Sequence, residues 1–319
     1  MPHVTFIHGI ANKPPQDQLL DLWVRSLADA TGLDLGAEGV TSSMVYWADV
    51  MYAEPAAEAN AEESAGDEAV AEAAAPESTD LEVEDMDAEE AAWTASLAAK
   101  LAVPLAVDSA IVSSTAAVAS AVTPSPVAET LERIPLPGFI KVRLMKRLLR
   151  DVHHYLYNVD YSPRPGDTFK VQDEIRARMI KALQEGAGNP GPHVVVSHSM
   201  GTVIAYDCLK RVAGAPVVDG LLTIGSPLGI DEVQDKLRPE WSRKDGYPSE
   251  KVRGRWVNIY DHLDPVAGFD PNFANDYRLG GDAKVEDINE QNYGSWRHDI
   301  TKYMRGPKLR QALRELLDL

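Results

Sequence analysis

The sequence predicts an α/β protein built on a mostly parallel sheet. Two observations carry this. Short apolar runs alternate with segments of helical period, and the densest run, Val194-Val195-Val196, passes straight into a turn of small residues and then a helix pattern. Taken in order, Val4 to Ile7 is a buried strand with a tight exit at His8-Gly9. Leu19, Leu20, Trp23, Leu27 and Ala30 recur at helical spacing, which predicts a helix from Gln16 to Ala30. Met44 to Trp47 is a second apolar run. Val171, Ile175, Met179 and Leu183 mark a helix stopped by the Gly186 to Pro190 stretch. His193 to Ser197 is a buried strand, and Val203, Ile204, Cys208 and Leu209 suit the helix after it. Leu221 to Ile224 and Trp256 to Tyr260 are further strands. There is no internal repeat.

The chain has 319 residues, a hydrophobic fraction of 45% and a net charge of −18. The length suits one large domain or two small ones, and the apolar fraction supports a sizeable core. Such acidity argues against a general nucleic-acid binder, because a phosphate backbone needs a basic face. The charge is concentrated: no Lys or Arg lies between Arg25 and Lys100, and the fifteen acidic residues from Glu54 to Glu90 account for most of the excess. Residues 51–92 therefore read as an Ala/Glu-rich, solvated arm, partly helical and mobile. Residues 93–159 read as a helical insertion. Its first part is apolar, but Ser, Thr and Ala dominate and Pro124 and Pro126 break it, so a lid or packed helical pair fits better than a membrane span. Leu144, Met145, Leu148, Leu149, Val152 and Leu156 then predict an amphipathic helix. Lys141, Arg143, Lys146, Arg147 and Arg150 crowd its polar side, read first as a solvated face. The same basic side suits peripheral contact of residues 93–150 with an anionic membrane, or attraction of the acidic arm. One cysteine, Cys208, excludes an intramolecular disulfide and a thiolate-rich metal site. The first residues lack a basic leader, so a cytoplasmic protein is expected.

The chemistry concentrates at Ser197-His198-Ser199-Met200-Gly201. A strand runs into a serine flanked by small residues and then into a helix, which is the setting of a nucleophile elbow, normally G-x-S-x-G. The sharp turn strains the backbone and lifts the hydroxyl above the sheet, at a helix N-terminus whose N–H groups face a developing oxyanion. Small residues two positions either side let strand and helix pass closely. Gly201 meets this need, while Ser197 stands in place of the first glycine.

On these residues the chain resembles the α/β-hydrolase superfamily, in particular its bacterial lipase- and esterase-like members. His8-Gly9 resembles the family's oxyanion turn. The resemblance covers residues 1–50 and about 160–319. It implies a shortened α/β-hydrolase fold of about six strands with helices on both faces, and a Ser-acid-His triad in that chain order. The implied acid follows the Trp256–Tyr260 strand: Asp264, before Pro265, resembles the family's D-P-V acid, with Asp261 as the alternative. Only His298 lies downstream to serve as base. The implied roles are Ser199 as nucleophile, His298 as general base, Asp264 as its orienter, and the backbone N–H groups of Ile10 and Met200 as the oxyanion hole. His8, Gly9, Ser197, His198 and Gly201 support the elbow and the oxyanion turn. His153-His154 has no matching carboxylates, so no metal is expected, nor any cofactor. The expected activity is hydrolysis of a small-molecule carboxylic ester, on acyl or lipid-like substrates if the apolar insertion lines the pocket. The same triad serves acyl transfer or thioester cleavage, and a hydrolase scaffold can also dock a partner or a membrane.

Overall fold

The computed structural model describes residues 1–56, 81, 86–101, 138–270, 272–294 and 296–319. The strands are β1 (His3–Ile7), β2 (Thr41–Val45), β3 (Asp160–Arg164), β4 (Asp167–Lys170), β5 (His193–His198), β6 (Gly220–Ile224), β7 (Trp256–Tyr260), β8 (Arg278–Leu279), β9 (Asp282–Ala283) and β10 (Val285–Asn289). Six of them form one sheet in the order β10-β7-β6-β5-β1-β2, with every neighbouring pair parallel. The other four form two antiparallel hairpins, β3-β4 and β8-β9.

The helices are α1 (Gln16–Ala28), α2 (Ala48–Met51), α3 (Ala88–Lys100), α4 (Gly138–Leu156), α5 (Val171–Ala187), α6 (Met200–Arg211), α7 (Asp231–Lys236), α8 (Ile300–Arg305) and α9 (Pro307–Leu316). They cover both faces of the sheet, as the alternation of side chains along a doubly buried strand requires. Val4, Phe6, Val194, Val196, Leu222 and Ile224 point to one face and pack with Leu19 and Trp23 of α1 and with residues of α8 and α9. Ile7 and Val195 point to the other, with α5 and α6. Each such fully buried aliphatic side chain contributes about 1.5–3 kcal/mol.

The predicted strands and helices recur with small shifts. Helix α1 stops two residues early because Ala30 and Thr31 take positive φ (49° and 64°), and the Leu33 N–H closes back on the Leu27 carbonyl at 2.7 Å. Helix α5 begins where the Asn158 side chain accepts from the backbone N–H groups of Gln172 and Asp173. The edge strand β10 and both hairpins had no expectation: β10 alternates weakly and its middle is half-exposed.

Where it is described, the insertion packs against the body. Helix α3 starts within the acidic stretch, capped by Asp87, whose carboxylate accepts from the N–H groups of Glu89 and Glu90 at 2.9 Å. It docks on α7: Trp93 Nε1 donates to the Glu232 carbonyl and Lys100 pairs with Glu232 at 2.7 Å. The expected apolar stripe of α4 is found at Met145, Leu148, Leu149 and Val152. Its polar side differs from the solvated face expected, since Arg147 and Arg150 are only 5% and 4% exposed. The cause is local pairing: the Arg150 guanidinium bonds Asp151 (2.9 Å) and the Tyr52 hydroxyl (2.7 Å). The apolar stretch 102–137 and most of the acidic arm lie outside the described residues, as do the side chains of Lys141 and Arg143. Among the described residues no helix is long and apolar enough to cross a membrane.

A buried carboxylate ties α4 to α6. Asp207 accepts from Tyr155 of α4 (2.7 Å), from Arg176 of α5 (2.6 and 2.8 Å) and from Arg211 (2.9 Å). Replacing Tyr155 by Phe leaves both arginines on the carboxylate. It should therefore cost about 1 kcal/mol, seen as a lower urea midpoint at unchanged denaturant slope.

Candidate active site

The carboxyl ends of β1, β5, β6 and β7 lie along one edge of the sheet. From β1 the chain steps outward to β2, and from β5 it steps the opposite way to β6. The crevice between β1 and β5 is thus a topological switch point, the usual ligand position in open parallel sheets. The predicted residues gather there.

At the end of β5, Ser199 has φ 53° and ψ −128°. A non-glycine residue in that region is strained and must be held. Its N–H donates to the Ile224 carbonyl (2.9 Å), and its own carbonyl accepts from the Thr202 N–H (2.9 Å) and hydroxyl (2.7 Å). Two residues on, a Cβ on Gly201 would lie 2.6 Å from the His8 carbonyl oxygen and 2.7 Å from that of Ile7. Glycine is required because helix α6 starts against the end of β1. Ser197 is fully buried, and its hydroxyl donates to the Leu222 carbonyl at 3.1 Å. That bond explains how a polar residue occupies the place of the first glycine.

The expected base and acid, His298 and Asp264, lie on separate loops. His298 Nδ1 lies 2.9 Å from both carboxylate oxygens of Asp264. The proton therefore sits on Nδ1, and the Nε2 lone pair points away from the acid. Asp264 is fully buried and also accepts from the Tyr303 hydroxyl (2.7 Å) and the N–H groups of Val266 (2.8 Å) and Ala267 (3.2 Å). Burial alone pushes its carboxyl up. Electrostatic attraction to His298 and the hydrogen bonds from His298, Tyr303 and Val266 outweigh that, so its pKa ends below the ordinary value. Tyr303 is pushed well up, by burial first and then by the neighbouring Asp264 charge.

Asp261 does not touch His298 through its side chain. It accepts from the Asn292 N–H (2.6 Å) and from Arg297 (3.1 Å), while its own N–H donates to Tyr303 (2.9 Å). It anchors the loop that carries the histidine. His198 links β5 to the His298 loop: its Nε2 donates to the His298 carbonyl at 2.9 Å, and the two rings lie 4.6 Å apart.

Ser199 Oγ and His298 Nε2 are both sealed from solvent, and neither has a hydrogen-bond partner among the described residues, so the two are not hydrogen-bonded to each other. Two such buried polar atoms at one site carry a free-energy cost that a substrate can relieve. Of the two groups expected to form an oxyanion hole, neither the Ile10 nor the Met200 N–H donates a hydrogen bond among the described residues. His8 supports that turn. Its Nδ1 donates to the Gly9 carbonyl (2.8 Å), its Nε2 accepts from the Trp47 N–H (3.0 Å), and its ring stacks on Trp47 at 4.9 Å.

Sequence reasoning missed Tyr303, Trp47 and Gly225. Gly225 has φ +55°, and a Cβ there would lie 2.9 Å from Asp264 Oδ2 and 3.1 Å from His298 Nδ1. A glycine at the end of β6 beside the expected acid was the available signal. Nothing in the sequence places the Tyr303 hydroxyl between two aspartates. Elsewhere, His153 Nε2 meets Glu90 (2.8 Å) and its Nδ1 faces His154 (3.3 Å). Among the described residues no group of three or more His, Cys, Asp or Glu side chains could hold a metal ion.

No family model matches the chain, and no curated protein matches it either.

Asp299, next to His298, caps α8 by accepting from the Thr301 N–H (2.8 Å). Burial raises its pKa to about 6, against the opposing bonds from Thr301. The folded state thus binds more protons than the unfolded state from about pH 4 to 6, and stability falls as pH rises through that window. Asp299→Asn keeps the capping oxygen and removes the buried charge. Thermal melts from pH 4 to 7 should show the variant gaining on the wild type as pH rises. A constant difference would contradict the assignment.

Proposed function

We propose that the protein is a serine hydrolase of the α/β-hydrolase type that cleaves a small-molecule carboxylic ester. The observation that carries this is the meeting of the Ser199 turn and the His298 loop, where the His198 and His298 rings lie 4.6 Å apart. The Ser199 hydroxyl, on a strained strand-helix turn, and His298 Nε2 are both buried without a hydrogen bond among the described residues, and the far nitrogen of that imidazole is bonded to a buried carboxylate.

In this reading His298 Nε2 takes the Ser199 proton as Oγ attacks the ester carbonyl. The resulting imidazolium is stabilised by Asp264, which stays ionised because its pKa is held low. The Met200 and Ile10 N–H groups receive the negative charge on the former carbonyl oxygen; such donors are worth about 10²–10³ in rate each. Collapse of the tetrahedral intermediate expels the alcohol, which takes the proton from His298. Water, activated by the same nitrogen, then attacks the acyl-enzyme and releases the acid. Shielding from bulk water strengthens each of these interactions. Support for an acyl or lipid-like substrate comes from the apolar composition of residues 102–137.

A fluorophosphonate probe should label Ser199 in the folded protein, with the adduct mapped by mass spectrometry; absence of label would overturn the reading. On p-nitrophenyl esters of increasing chain length, Asp264→Asn should lose about 10³–10⁴ in kcat through the wrong imidazole tautomer. Asp261→Asn should lose far less. A large loss confined to the Asp261 variant would reassign the acid.

Gly225→Ala should lose about tenfold or more in kcat, because its methyl group displaces the His298–Asp264 pair. The readout is the same ester series, with rates normalised to probe-titrated sites. Wild-type turnover would show that the pair tolerates the methyl.

A further inference from the structure

We infer that Lys13 and Asp151 are positioning residues for the oxyanion turn, which makes the inserted helix α4 part of the catalytic apparatus. The inference rests on the serine-hydrolase reading. It starts from Ala11, a non-glycine residue with φ +69° immediately after Ile10. That backbone state is unfavourable for a residue with a Cβ and persists only where its surroundings impose it.

The peptide group between Ile10 and Ala11 is gripped at both ends. Its N–H, on Ala11, donates to Asp151 Oδ2 at 3.1 Å. Its carbonyl, on Ile10, accepts from Lys13 Nζ, which also donates to the Ala11 carbonyl at 3.2 Å. The signs suit the peptide dipole: the anion lies at the N–H end and the cation at the C=O end. Lys13 is fully buried and Asp151 is 1% exposed, so water screens neither charge. Asp151 is itself locked, with Oδ1 receiving Arg150 Nε (3.0 Å) and Nη2 (2.9 Å), and Oδ2 receiving the Tyr52 hydroxyl (3.4 Å).

The preceding peptide carries the Ile10 N–H proposed to meet the oxyanion. Its carbonyl, on Gly9, is held by His8 Nδ1 at 2.8 Å. A trans peptide points its N–H opposite its C=O, so this bond aims the Ile10 N–H. Two successive peptide planes are thereby fixed, and the fixing of the second depends on a carboxylate supplied by α4. Releasing the Ala11 N–H lets that plane rotate and misaligns the donor beside it.

The test compares Asp151→Ala, Asp151→Asn and Lys13→Met with wild type on p-nitrophenyl butyrate. Rates are normalised to sites titrated by fluorophosphonate, and affinity for an alkyl boronic acid, a tetrahedral mimic, is measured in parallel. Asp151→Ala and Lys13→Met should lose about 10- to 100-fold in kcat, with KM within about twofold. Boronate affinity should fall by a matching factor. Asp151→Asn keeps an oxygen for the Ala11 N–H and should recover most of the loss. Wild-type kcat per titrated site in Asp151→Ala and Lys13→Met, or a change in KM alone, would overturn the inference. If Asp151→Ala does not fold, unchanged boronate affinity in Lys13→Met overturns it as well. A wild type that fails to label at Ser199 defeats the hydrolase reading itself; a labelled wild type with insensitive variants defeats only this inference.

Discussion

The close approach of helix α6 to the end of β1 constrains everything else at the site. Parallel neighbours β1 and β5 deliver two chain exits to the same edge of the sheet, side by side. For α6 to start there, Gly201 must lie against the Ile7 and His8 carbonyls, and Ser199 must turn through a left-handed conformation. That conformation costs on the order of 1–3 kcal/mol. It is offset by bonds that come from the scaffold, from Ile224 on β6 and from Thr202 within α6. The strain is thus a consequence of strand order and helix placement, and Ser199 Oγ makes no hydrogen bond among the described residues.

The two aspartates after β7 show how environment divides roles between like groups. Both are buried and both contact Tyr303. Asp264 collects four donors, one of them the imidazole, and this surplus keeps a fully desolvated carboxylate ionised. Asp261 receives the Arg297 guanidinium and the Asn292 N–H from the loop that bears His298, and the Leu263 N–H from its own turn. One holds the ring; the other holds the loop that holds the ring. Tyr303 couples them by donating to the first and accepting from the backbone of the second.

Much of this was legible in the sequence, for physical reasons. A Val run followed by small residues and a helix pattern has few alternative readings, because only a strand-helix elbow uses all three. His298 could be chosen because the superfamily's chain order left no other histidine. Asp264 over Asp261 was harder, since both sit in turn chemistry; the proline after Asp264 marked the longer reach. Tyr303 and Trp47 were not legible, because their roles depend on contacts across 39 residues in sequence that no periodicity encodes. The polar side of α4 misled for a related reason. A row of arginines looks solvated until the chain supplies partners, and here Arg150 found Tyr52 and Asp151 inside the protein.

That burial bears on why the charges are there at all. Removing an ion pair from water costs several kcal/mol per ion, and a well-packed apolar pair of similar size is often as stable or more so. Stability alone therefore does not account for Arg150 and Asp151 beneath the loop that follows β1. What an apolar pair cannot do is accept the Ala11 N–H. The free energy spent on desolvation is returned as orientation of a single peptide plane, next to the N–H that the proposed reaction needs. The net acidity of the chain belongs to the stretch from Glu54 to Glu90, whereas the charges of the proposed site are buried and individually partnered. In the inferred arrangement the insertion contributes through one carboxylate in a fixed place rather than through its overall charge.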